Sequence, residues 1–144
     1  MKNQFDLTKF ATSPFCEKIN KPWGYEIIFT PEDAPVVGKI IHVNAGKRLS
    51  LQYHDEKIEA LCLIKGEAKI TLGDKNCKTI EISMELNKGY FMQPGQIHRV
   101  SAVTDIIFVE SSTPEIGNTI RLEDDNNRSD ETGEMRTEEN RGWK

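Results

Sequence analysis

Ser50, Gln52 and His54 stand at every second position of the run GKRLSLQYH, and Glu59 follows His54 by five residues. Side chains alternate across a strand, so these three polar groups are expected on one face, with Leu49, Leu51 and Tyr53 on the other. A second imidazole, His98, stands in the later run PGQIHRV. One amide oxygen, two imidazole nitrogens and one carboxylate make a donor set for a divalent cation such as Zn²⁺. Gln52, His54, Glu59 and His98 are therefore the expected metal ligands, and four converging protein ligands leave coordination positions open for a substrate. A lone histidine on a strand is more often a hydrogen-bonded core residue. The joint spacing is what favours the metal.

Such ligands need rigid strands to hold them, and the chain supplies the pattern. Short apolar runs recur between Gly, Pro, Asn and Asp: YEIIF, GKIIHV, RLSLQYH, EALCLIKG, AKITLG, TIEISMEL, GYFMQPG, HRVSAV and DIIFVES. Runs of this length, rich in β-branched residues and punctuated by turns, predict an all-β domain with little helix. Closely spaced antiparallel strands hide their edges well in a jelly roll or closed barrel of about eight strands. From Glu123 onward the composition turns polar and charged, EDDNNRSDETGEMRTEENRGWK. With so little apolar surface to offset the entropy of ordering, this tail is expected to be mobile beyond Arg128. The reading is an N-terminal arm over 1–19, a barrel over 20–122 and the tail over 123–144, with the arm packing on a partner subunit in a homodimer.

At 144 residues the chain suits one domain with a real core. Nineteen basic against 23 acidic residues leave a net charge of −4, which argues against nucleic acid and anionic membrane as partners. Cys16, Cys62 and Cys77 are odd in number and lack CxxC spacing, so neither a disulfide framework nor a thiolate zinc site is indicated. No apolar run approaches the roughly 20 residues that span a bilayer, and the first 17 residues lack the apolar stretch of a signal peptide. A cytoplasmic location is expected.

The spacing of Gly46, Gln52, His54, Glu59 and Gly66 resembles the first motif of the cupin family, with Gln in the place of the first His. Gly89, Pro94, Gly95 and His98 represent the second motif. It departs in a shorter Gly89 to His98 interval and in Ala102, where the family has Asn. Within that family the chain is similar to the phosphomannose isomerase-like cupins, including the isomerase domain of bifunctional mannose-6-phosphate isomerase/mannose-1-phosphate guanylyltransferases. The matching pieces are Lys21-Pro22-Trp23-Gly24, Lys39 before Ile40, Leu49 to Glu59 with Lys57, Gly95 to Arg99, and Ile120 to Asp124. The likeness runs over about 20–128, and the nucleotidyltransferase domain has no counterpart.

The resemblance implies a single cupin barrel and aldose–ketose isomerisation of a small phosphorylated sugar, mannose 6-phosphate to fructose 6-phosphate. That reaction moves a proton between C2 and C1 through an enediol, so it needs a group to polarise the carbonyl and a group to carry the proton. Lys39, Glu26 and Lys57 are candidates for the proton. Arg121 and Arg128, with Arg99, Lys21 and Lys39 behind them, are candidates for the phosphate. Ser50 shares the ligand face and is placed to hydrogen-bond the sugar. Strand alternation offers a simpler alternative for Lys57 and Arg99, as solvated surface charges, and Arg121 beside Glu123 and Asp124 reads equally as a surface ion pair. Trp23 is read as covering a barrel end. The competing function is a metal- and sugar-binding cupin module without catalysis. A redox dioxygenase is disfavoured because such sites use three imidazoles, and a nucleic-acid-binding barrel would want aromatics on a basic face.

Overall fold

The computed structural model describes Asp6 and residues 8–143. Two antiparallel sheets enclose the interior. The first is built from β1 (Glu17–Lys21), β2 (Gly24–Ile28), β3 (Val37–Val43), β5 (Glu59–Lys65), β8 (Gly89–Met92) and β10 (Ile106–Ser112), in the order β1-β2-β3-β10-β5-β8. The second holds β4 (Leu51–His54), β6 (Ala68–Gly73), β7 (Thr79–Ser83), β9 (Ile97–Ala102) and β11 (Thr119–Glu123), in the order β11-β4-β9-β6-β7. Among the described residues there is no α-helix, only two short 3₁₀ segments, Met135–Thr137 and Glu139–Gly142. The expected all-β jelly roll is present, built as two sheets.

The nine apolar runs all became strands, and two strands lie outside them. β1 carries a single aliphatic residue, Ile19, and pairs only with β2 at the sheet edge. In β11 the positions facing the interior are Thr119 and Arg121, so its period-2 signal is polar inside. The Pro22-Trp23 loop joins β1 to β2 as a two-residue hairpin. A side chain at Gly24 would overlap the carbonyl oxygen of His42, which accounts for glycine there. Gly66, at φ +90°, closes the β5–β6 turn where a Cβ would overlap the Asp105 carbonyl.

Register places the site. Inward-facing residues across β3, β10 and β5 form rows: Val43 opposite Ile106, Ile41 opposite Phe108 opposite Leu63, Lys39 opposite Glu110 opposite Leu61, and Ser112 opposite Glu59. The same face therefore turns from aliphatic to ionic within two residues along each strand. At the aliphatic end Phe108, Leu63, Ile70 and Val100 from both sheets form the core. At the ionic end the two sheets enclose a cavity.

The tail, expected to be mobile beyond Arg128, folds back along β11, where Thr119 and Glu131 exchange backbone hydrogen bonds of 3.0 and 2.9 Å. Arg136 Nε then donates to Glu131 Oε1 at 3.0 Å and its Nη1 to the Gly117 carbonyl at 2.8 Å. Arg141 reaches Glu115 at 3.2 Å. A composition argument counts only apolar surface, whereas this segment makes its contacts through ion pairs, among them Arg141 with Glu115 across 26 residues. At the other end, Glu17–Lys21 of the first strand begins inside the segment read as an arm. Residues 1–5 and 7 of that arm lie outside the described residues, and residues 8–15 are exposed.

Candidate metal centre and its charged cavity

His54, Glu59 and His98 come from β4, β5 and β9, and their ligand atoms lie within 4.8 Å of one another. Glu59 Oε1 is 2.7 Å from His98 Nε2 and 3.4 Å from His54 Nε2. Each imidazole is held from behind. His98 Nδ1 donates to the Gln96 carbonyl at 2.9 Å, an acceptor that fixes the tautomer and leaves the Nε2 lone pair pointing inward. His54 Nδ1 sits 3.0 Å from the Thr119 hydroxyl. Both Nε2 atoms are buried and face Glu59 without an aligned hydrogen bond to it or to any other group, so the donor set fits a cation bound between them and Glu59. Lys57 at 3.1 Å, with the two imidazoles, holds the Glu59 carboxyl well below the usual range against the opposing effect of burial.

The twelve site residues singled out in the sequence all line one cavity of about 70 Å³. Gln52 pairs with His98 across β4 and β9, and its Oε1 accepts a 2.5 Å hydrogen bond from the buried Ser50 hydroxyl. Alternation fails for Leu49, which precedes the regular strand and packs on the core from the cavity side. It fails also for the surface alternatives. Lys57 and Arg99 are 3% and 5% exposed. Lys57 sits in the loop before β5, where strand alternation does not apply, and donates to Glu110 at 2.6 Å. Arg99 ties three segments together, with Nε on the Leu49 carbonyl at 2.9 Å and Nη1 on Glu123 at 3.0 Å. Its donors are engaged by the protein. Trp23 is buried against the same cavity.

Around the candidate metal ligands runs a network of ionic side chains. Lys39 donates to Glu115 at 2.5 Å and lies 3.8 Å from both Glu26 and Glu110. Arg141 lies 3.7 Å from Glu26 and 3.5 Å from Glu131. Arg121 contacts Glu131 and the Ser129 carbonyl, and Arg128 forms a two-point pair with Asp124 at 3.0 and 2.8 Å. Arg121 is thus a buried pair with the tail, not a surface pair with Glu123. Four members escaped the sequence reading: Glu110, Glu115, Glu131 and Arg141. Glu110 had a signal, a carboxylate at an inward position of DIIFVES, but the other three sit in loops or the tail.

Glu26 is the member with an open acceptor, since its buried Oε1 has no hydrogen-bond partner. Burial works to raise its pKa, but Lys39, Lys21 and Arg141 outweigh that and bring it from 4.5 down to about 2. A depressed carboxylate contributes stability that is complete above its unfolded value and disappears as pH falls through its folded one. The thermal midpoint of the protein is therefore expected to fall between about pH 5 and pH 2, with Glu26 contributing on the order of 3 kcal/mol. Glu26→Gln should flatten that part of the curve, as a pH series of melting scans would register; an unchanged slope would remove Glu26 from the account.

Comparison with known proteins agrees with this architecture. Among solved structures, the capsular polysaccharide assembling protein CapF from Staphylococcus aureus matches with a TM-score of 0.60 at 15% identity, over 85% of this chain and 35% of that one. Oxalate decarboxylase from Bacillus subtilis matches with a TM-score of 0.66 at 16% identity, over 79% of this chain and 33% of that one. At such identities the likeness concerns the cupin fold, and the chain spans about a third of either protein. No curated protein matches the sequence. The family model described as mannose-6-phosphate isomerase, C-terminal, matches residues 11–130, covering both sheets and every expected ligand. The chain has the cupin fold and belongs to the mannose-6-phosphate isomerase C-terminal family.

Proposed function

We propose that this protein is a metal-dependent isomerase of a phosphorylated aldose, of the mannose 6-phosphate/fructose 6-phosphate type. The observation that carries the reading is the pair of unpartnered imidazole Nε2 atoms beside Glu59, facing a cavity that also holds an unpartnered carboxylate oxygen on Glu26. A divalent ion such as Zn²⁺, held by His54, Glu59 and His98 with Gln52 beside them, would supply Lewis-acid polarisation of the substrate carbonyl. The chain's own groups then divide the proton work. Glu26 is ionised at neutral pH and takes the proton from C2, and the carboxylic acid so formed returns it to C1. Lys39 stays protonated, since Glu110, Glu115 and Glu26 raise its pKa against the burial that would lower it, and offers an N–H donor to the sugar oxygens where charge builds. Ser50, fixed by Gln52, is placed for a hydroxyl of the sugar.

Arg121 and Arg128 are assigned to the phosphate. Arg121→Ala and Arg128→Ala are expected to keep bound metal while lowering catalytic efficiency roughly 10- to 150-fold, the worth of a charge-assisted hydrogen bond. Metal analysis beside a coupled assay for fructose 6-phosphate reads both quantities on the same preparation, and loss of metal in either variant contradicts the assignment.

The alternative is a binding module that holds metal and sugar without turnover. It is favoured by the free volume of about 70 Å³, which holds a few waters but not a hexose phosphate unless side chains move. The same coupled assay decides. Metal-replete protein that forms fructose 6-phosphate supports the isomerase, and metal-replete protein inert toward mannose 6-phosphate and related aldose phosphates is the binding module.

A further inference from the structure

The two sheets differ in what they turn outward. An antiparallel sheet with one solvated face carries polar residues on it, and the second sheet does so, with Lys69 3.4 Å from Glu81 and Arg99 3.0 Å from Glu123. The first sheet does not. Between its inward rows, Ile27, Ile40, Val109 and Cys62 line up across β2, β3, β10 and β5 on the outer face. Tyr25, His42 and Ile107 form the next row. Phe91, on the edge strand β8, stands opposite Ala60 and is 58% exposed. The runs YEIIF, GKIIHV and DIIFVES are apolar at successive positions in their middles, the pattern of strands covered on both sides.

Charge is confined to the margin. The charged side chains left exposed on the strands of the first sheet, Glu17, Lys18 and Lys65, stand on the edge strand β1 or at the end of β5. Lys18 Nζ lies 4.2 Å from the centre of the Tyr25 ring, which stacks on His42 at 4.3 Å. Burial and Lys18 hold the His42 imidazole below its ordinary pKa, so the face is uncharged there at neutral pH. A contiguous apolar face of this kind marks a contact surface, because leaving it in water is costly. Six strands about 4.8 Å apart and five residues of about 3.3 Å each give roughly 500 Å² in projection, and the corrugated accessible surface approaches the ~800 Å² per partner of a standard interface.

We propose that the outer face of the first sheet joins two copies of the chain in an isologous dimer centred on Ile40 and Val109. A second copy is the occupant this face fits. Being neutral, it meets itself without setting like charges together. Two-fold pairing buries Ile40 and Val109, from the two middle strands, and leaves Glu17, Lys18 and Lys65 at a wet rim. The arrangement needs no exchange of the N-terminal arm and rests on neither metal nor turnover.

Sedimentation velocity on the full chain at micromolar concentration is expected to return a dimer. Ile40→Glu and Val109→Glu each set two carboxylates into the interface and should weaken association at least about 100-fold, with far-ultraviolet circular dichroism unchanged. Leu122→Glu, at an exposed position of the second sheet, should stay dimeric. A thiol reagent locates the contact with no variant at all. Cys16 and Cys77 are exposed and should react throughout, whereas Cys62 lies on the face and should react only once the wild-type protein is diluted into monomers. A wild-type monomer would overturn the proposal. So would a dimer in which Cys62 reacts as fast as Cys77, or in which Cys16 is the protected thiol, since the copies would then meet through the arm. Dimers that survive both substitutions on the face, or that are lost in Leu122→Glu, place the contact elsewhere and overturn it too.

Discussion

Replacing His54 or His98 by alanine is expected to strip the protein of bound divalent metal. Each imidazole presents a buried Nε2 with no other partner, and Glu59 is the one carboxylate within the 4.8 Å ligand cluster. Removing either histidine leaves two clustered ligands with Gln52 beside them, fewer than a cation needs to hold against water. Loss of an outer hydrogen-bond partner such as Thr119 typically costs 10- to 100-fold in metal affinity, so loss of the ligand itself should cost at least about 100-fold. Gln52→Ala should cost less. Its neutral amide oxygen adds least to the attraction, and that oxygen is already bound by Ser50 at 2.5 Å. Elemental analysis after loading with Zn²⁺ and exhaustive dialysis ranks the four proteins. A His98→Ala protein that keeps wild-type metal would show that the cluster is a hydrogen-bonded core and not a metal centre.

Glu26→Gln should be the most damaging change outside the ligands if the protein turns over aldose phosphates. The amide keeps the shape of the side chain and its place on β2, opposite Ile41, but cannot accept a proton from carbon. Loss of a positioned general base costs about 10²- to 10⁴-fold in turnover, with metal content unchanged and little effect on KM. Exchange of the C2 deuteron of a labelled substrate with solvent isolates the step. Full exchange by the variant would transfer the role to another group. The low pKa of Glu26 is set largely by Lys39, Lys21 and Arg141 opposing its burial. An anion bound to Lys21 would draw away part of that attraction and strengthen Glu26 as a base when the substrate is in place.

What could be read from the residues alone was whatever depends on local period. The nine apolar runs were strands because alternation and turn chemistry act over a few residues, and the ligand face of β4 was visible for the same reason. His54, Glu59 and His98 could be grouped before any fold was known, since the spacing of donors on strands constrains where they converge. Twelve expected site residues meet in one cavity. Roles were harder to read than membership. Arg99 lies in the site, yet its guanidinium is taken up by the Leu49 carbonyl and Glu123, contacts set by which strands are neighbours.

Tertiary structure alone decided the ion network. Glu115, Glu131 and Arg141 stand in segments without periodicity, and each is drawn into the interior by an opposite charge: Lys39 for Glu115 and Glu26 for Arg141, both far along the chain, and Arg121 for Glu131. A lone charge in any of these segments reads as solvated, because burying it unpaired would cost several kcal/mol. The tail's contacts left no trace in the sequence for this reason. The sequence determined that there is a sheet face able to hold a cation. The closing of the chain on itself decided which charges surround that face, because pairing across 76 residues, as between Lys39 and Glu115, leaves no mark in either local segment.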